Sequence, residues 1–147
     1  LTATIPDFIS LAESSINNEI RHWRMETRAE TTLDGQFTGI PTDWLSTIRF
    51  HLTGNGTSSL EFEQSAILMY YAKIPTLSDS NETNWLLTNY PDIYLYGALL
   101  HSAPYLKEDE RAQTWAALYT AAVTRVNNAS NKSTASGSGL RLKIGSY

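Results

Sequence analysis

The 147 residues, 41% apolar and 18% charged, fit one folded domain able to bury its own core, and disorder is excluded. The absence of cysteine excludes disulfides, thiolate zinc sites and cysteine nucleophiles. A net charge of −4 gives no basic excess of the kind that marks a general nucleic-acid binder, and no apolar run approaches the ~20 residues of a membrane span.

The first residues carry no basic-then-apolar run of the kind that marks a signal peptide. In residues 5–23, Ile5, Phe8, Ile9, Ala12, Ile16, Ile20 and Trp23 recur at spacings of three and four, which predicts an amphipathic helix. Pro6 and Asp7 supply start signals, and Arg21 and Arg24 sit where cations favour a helix end.

From residue 25 to about 75 the period changes to that of strands. Thr27 to Leu33 ends at Asp34-Gly35, a hairpin signal. Pro41-Thr42-Asp43 reads as a turn or cap before Trp44. Ile48, Phe50 and Leu52 alternate with Arg49 and His51, the pattern of a half-buried strand. Leu60 with Phe62, and then 66–71, give two further strand candidates. The block reads as a small antiparallel sheet.

A polar turn at Ser78-Asp79-Ser80-Asn81 leads to a restart at Trp85 and a helix over 91–103. Pro91 suits the first helical position, and Pro104 is expected to close the helix. Ile93, Tyr94, Leu95, Tyr96, Ala98, Leu99, Leu100 and Ala103 leave it almost no polar face, so cover is needed on every side, partly from another subunit. A last helix over 107–126 opens on Glu108, Asp109 and Glu110, and its apolar stripe includes Trp115, Tyr119, Val123 and Val126.

Residues 127–139 are polar and of low complexity, and read as a flexible linker. Beyond it, Leu140, Leu142 and Ile144 alternate with Arg141 and Lys143, a strand that needs a sheet edge to join. That edge belongs either to a neighbouring copy or to the chain's own sheet. Residues 127–147 hold three cations and no acid. With −4 overall, the remainder sums to −7, so the tail is suited to an acidic surface.

Signals for chemistry are weak. His22, His51 and His101 lie in three different elements without metal-ligand spacing, so no metal site and no cofactor are expected. Gly137-Ser138-Gly139 falls in the linker rather than at a nucleophile elbow. Glu61 with Glu63, and Glu13 with Glu19, could in principle pair as glycosidase carboxylates, but they read as solvated side chains. Arg21, Arg24 and Arg28 could meet DNA phosphates or an acidic partner, against a plainer reading as helix-end and strand charges. Trp85 and Trp115 are expected in the core, and Tyr94, Tyr96 and Tyr105 at a subunit boundary together with Leu140, Arg141, Leu142, Lys143 and Ile144.

The segments DFISLAESSINNEIR (7–21), METRAETTLDG (25–35), IPTDWLSTIRFHL (40–52), residues 70–111 and WAALY (115–119) together resemble the head-to-tail adaptor, or connector, proteins of tailed bacteriophages. The resemblance spans the chain to about residue 125 and is most specific over 70–110. It implies an α+β fold: a helical bundle of three main helices, a small antiparallel β subdomain and an extended C-terminal tail. It implies a single adaptor domain over 1–126 followed by a linker and tail strand over 127–147. The implied role is structural and not enzymatic, in the virion and, during assembly, the host cytoplasm. The implied form is a ring of about twelve copies that joins the portal vertex to the tail. Its implied partners are other copies, the portal protein, a downstream tail or nozzle protein, and DNA passing through the lumen without sequence-specific binding. Relatives carry a longer β-rich segment where Glu61 to Ser65 joins two strands abruptly here. The alternatives are a tail-associated peptidoglycan hydrolase and a generic homo-oligomeric binding module.

Overall fold

In the computed structural model, which describes residues 4–33, 39–52, 64–107 and 109–136, the first helix, α1, spans Ile5–Glu19. Pro6 lies in its first turn, where a missing N–H costs no helical bond. Ala12, Ile16 and Ile20 are fully buried, as the spacing requires. The helix stops four residues short of Trp23. Ile20 turns extended, and the Arg21 guanidinium donates to the carbonyls of Asn17 at 2.7 Å and Ile20 at 2.6 Å. Orphan carbonyls at the helix end thus gain charged donors. A short 3₁₀ turn, Trp23–Met25, follows.

The chain forms two compact units, Arg24–Pro75 and Leu1–Trp23 with Thr76–Tyr147. The first is a three-stranded antiparallel sheet of β1 (Glu26–Leu33), β2 (Trp44–Leu52) and β3 (Gln64–Ala72), in the order β1-β3-β2. A hairpin at Asp34-Gly35 would set β1 beside β2, whereas β3 lies between them. Asp34-Gly35 itself falls outside the described residues, as do Leu60 and Phe62. Register places Ala29 and Phe50 on either side of Leu68, and Thr31 and Leu52 on either side of Ala66. Partners opposite one another share a face, so one face is mostly apolar. Tyr70 donates its hydroxyl to Asp43 at 3.0 Å, and Lys73 N–H to the Asp43 carbonyl at 2.7 Å, which fixes the turn before β2.

The second unit is helical: α1, α2 (Trp85–Asn89), α3 (Pro91–Leu106) and α4 (Asp109–Ser136). Ser78 and Asn81 pair across the expected turn. Asn84 caps α2, its side chain accepting from Leu87 N–H at 2.8 Å and donating to the Tyr94 hydroxyl at 2.7 Å. Pro91 opens α3 as expected. Pro104, however, lies within the helix, since α3 continues to Leu106. Proline removes one hydrogen bond but does not forbid a last turn whose remaining donors are paired. Termination falls to Lys107, left-handed at φ 55°, whose N–H reaches the Ala103 carbonyl. A β-carbon at a left-handed position is costly, so Lys107→Gly is expected to stabilise the chain by about 0.5–1 kcal/mol, read as a rise in Tm.

The largest departure concerns α4. The expected helix over 107–126 begins at Asp109 and continues through Ser136, so most of the expected linker is helix. Asn127 Oδ1 accepts from Arg21 N–H at 3.0 Å, and its Nδ2 donates to the Glu19 carbonyl at 3.1 Å. Ser130, buried, accepts from Trp23 N–H at 2.9 Å. Polar side chains that weaken a helix in isolation here satisfy the backbone leaving α1. The unit is held at Gly97 of α3: a Cβ built there would lie 3.0 Å from Ala12 Cβ and 3.4 Å from the Tyr119 ring. Helices α1 and α4 therefore both press on α3 where it has no side chain.

Candidate assembly interface

The helical unit leaves a continuous apolar strip uncovered. Helix α3 buries Ile93, Tyr94, Gly97, Ser102 and Ala103 but exposes Leu95 at 55%, Tyr105 at 56% and Leu106 at 41%. At the start of α1, Ile5 is 44% exposed although it belongs to the same stripe as buried Ala12 and Ile16. Between the two helices lies a groove of about 240 Å³, lined by Ile5, Phe8, Leu95, Ala98, Leu99 and Leu106 together with Ser102. Of the lining residues, Phe8 meets the Tyr105 ring edge-on, with ring centroids 5.8 Å apart. Contiguous apolar surface of this kind marks a site of contact with another molecule.

The sheet unit has a second such surface. Ile48, Phe50 and Leu52 are 39%, 51% and 47% exposed, so β2 is not the half-buried strand its alternation predicts. It is an edge strand, and its apolar face borders a hollow of about 160 Å³ whose lining includes Leu33, Ile40, Trp44, Phe50 and Leu68. Alternation reports which face is apolar, not whether anything lies across it.

The boundary tyrosines separate into three environments. Tyr94 is in the core, with its hydroxyl held by Asn84 and burial raising its pKa, so it does not belong at a chain surface. Tyr96 is half-buried and Tyr105 exposed. Trp85 and Trp115 are half-buried rather than fully in the core, and Trp85 stacks on buried His22 with centroids 4.9 Å apart. Leu140, Arg141, Leu142, Lys143 and Ile144 lie outside the described residues.

The arginines do not form one set. Arg21 is engaged by the carbonyls at the end of α1, as its plainer reading has it, and belongs to the helical unit. Arg24 and Arg28 belong to the sheet unit, where Arg28 pairs with Glu30 across 2.6 Å of exposed β1 surface. Such an exposed pair adds little stability. Arg125 ties two elements together, bonded to Asp92 at 2.5 Å and lying 5.8 Å from the Tyr90 ring centroid, which fastens the start of α3 to α4.

Of the carboxylates, Glu61 and Glu63 fall outside the described residues. Glu13 is buried rather than solvated, and its Oε1 accepts from Leu77 N–H at 2.8 Å. Burial raises its pKa above the ordinary 4.5, and the Leu77 hydrogen bond opposes that rise. Because the folded-state pKa exceeds the unfolded one, the folded chain binds more protons between the two values. Stability therefore falls as pH climbs from 4.5 through the folded pKa. Glu13→Gln keeps the acceptor and removes the buried charge. Expected at neutral pH is a rise in Tm that disappears when the melt is repeated below pH 4.5.

Among the described residues no group of three or more His, Cys, Asp or Glu is placed to hold a metal, and no helix is long and apolar enough to cross a membrane. What the geometry offers is contact surface on both units, the mark of a protein that works by joining others. The family model described as SU10 adaptor protein matches residues 63–142, more than half of the chain. The chain belongs to this family of phage structural adaptor proteins. No curated protein matches it.

Proposed function

We propose that the protein forms a closed ring between the portal vertex and the tail of a phage virion, and that the ring extends the channel through which DNA passes. Family membership supports the adaptor role. The observation that carries the ring is the uncovered apolar strip of α1 and α3, with Leu95, Tyr105 and Leu106 each more than 40% exposed. A heterologous contact repeated around a closed rotation covers such a strip on every copy at once. In this reading Tyr96, Tyr105 and residues 140–144 lie at the boundary between copies or toward the portal and tail proteins. Arg24 and Arg28 are charges for the lumen or for a partner, and the DNA slides past without sequence-specific contacts. The particle sits at the head–tail junction of the virion and assembles in the host cytoplasm.

Native mass measurement of the full chain, alone and mixed with portal protein, tests this. A ring of about twelve copies, or one that forms only with portal, is the expected result. A stable monomer indifferent to portal overturns it.

A further inference from the structure

We infer that β2 of one copy pairs edge to edge with β1 of the next copy, so that the sheets of the ring continue from subunit to subunit. This rests on the ring reading above and adds a second contact to it, on the sheet unit. Strand β3 lies between the other two, and among the described residues neither β1 nor β2 has a strand on its outer side. An open edge of this kind offers its main-chain donors and acceptors to another strand.

The two edges are suited to each other on both faces. Register through β3 puts Glu26, Arg28 and Glu30 of β1 on the same face as Arg49 and His51 of β2. Two acids and one cation give the β1 set a charge of −1, and Arg49 gives the β2 set +1 with histidine neutral. On the opposite face, Ala29, Thr31 and Leu33 of β1 stand with exposed Phe50 and Leu52 of β2. Pairing β2 with a second β2 would set cation against cation, whereas β1 brings acid to one face and apolar side chains to the other.

Direction and register follow. Both β1 and β2 run antiparallel to β3, so they are parallel to each other. Neighbours in a ring of about twelve differ by a rotation of ~30°, which leaves strand direction nearly unchanged, so β2 and the next β1 meet in parallel. Level rows would set Arg28 against Arg49, since both lie opposite Met69. A slip of two residues keeps every side chain on its own face. In one direction it sets His51 against Arg28. In the other it sets Arg49 opposite Glu30, Phe50 opposite Thr31 and Leu52 opposite Leu33, and this is the register inferred. Glu30 engages Arg28 of its own copy through Oε1, and its second oxygen then meets Arg49 of the neighbour. The irregular part of β2 lies between Trp44 and Arg49, so the stretch used, 49–52, is regular ladder.

The chain lacks cysteine, so introduced cysteines report the contact. Full-length Leu33→Cys and Leu52→Cys proteins, each first checked for folding by a circular dichroism melt, are assembled together and oxidised. Thr31→Cys with Phe50→Cys serves as a second pair. Within one copy β3 holds these positions at least ~10 Å apart, too far for a disulfide bond. Expected is a disulfide joining the two different variants, at least fivefold over either self-linked product, identified by mass spectrometry of the joined peptides. Rings that form by native mass without this link at either pair overturn the inference and leave the ring reading intact. Self-linked products in excess would mean that like edges meet, which also overturns it. A protein that stays monomeric under all conditions removes both readings.

Discussion

Gly97→Leu is expected to destabilise the helical unit by about 3 kcal/mol or more, lowering Tm by roughly 6–12 °C in a thermal melt followed by circular dichroism. A single methyl at this position would already lie 3.0 Å from Ala12 Cβ and 3.4 Å from the Tyr119 ring. The Ala12 side is a short, stiff Cβ on a fully buried residue, and it has no rotamer with which to retreat. On the Tyr119 side the ring is itself buried, its hydroxyl without a partner, and burial raises its pKa. A leucine adds three more carbons to that gap, so α1 and α4 would have to move apart. Gly97→Ala separates the causes. Alanine favours a helix by ~1 kcal/mol over glycine, and the tight contact opposes it, so its Tm is expected within a few degrees of wild type. A leucine variant as stable as the alanine one would mean that the three helices do not meet at this residue.

How far the fold could be read in advance follows from what each signal reports. Helix α1 was legible because its apolar spacing is regular and its core residues, Ala12, Ile16 and Ile20, are the ones the stripe names. Pro91 and the Ser78–Asn81 turn were legible because their chemistry is local. Strand order was not, because a turn signal at Asp34-Gly35 carries no information about a third strand that inserts between its neighbours. The C-terminal half of α4 was illegible for a related reason. Asn, Ser and Thr at 127–136 score as linker by composition, and their value in the fold depends on partners more than a hundred positions earlier. The apolar excess of α3 did point toward an interface. It could not tell Tyr94, which the core takes, from Tyr105, which it leaves exposed, since both are tyrosines on one helix.

The end of α4 supplies the second large effect. Asn127→Ala removes the acceptor for Arg21 N–H and the donor for the Glu19 carbonyl, and Ser130→Ala removes the acceptor for Trp23 N–H. These are among the main-chain groups released as α1 ends, and nothing in an alanine can replace the lost partners. Asn127 is only half-buried, so water recovers part of its loss and a cost of about 1 kcal/mol is expected. Ser130 is buried, and its loss removes the acceptor of the Trp23 N–H, for about 1–2 kcal/mol. Alanine's better helix propensity returns a few tenths of a kcal/mol at each site, too little to change the sign. The double variant is expected to lose about 2–3 kcal/mol, with helical content measured by circular dichroism unchanged below the melt. If residues 127–136 were instead a tether, the same changes would leave Tm within error. A loss that appears in the single variants but does not grow in the double one would show that the two side chains hold one shared opening rather than separate bonds.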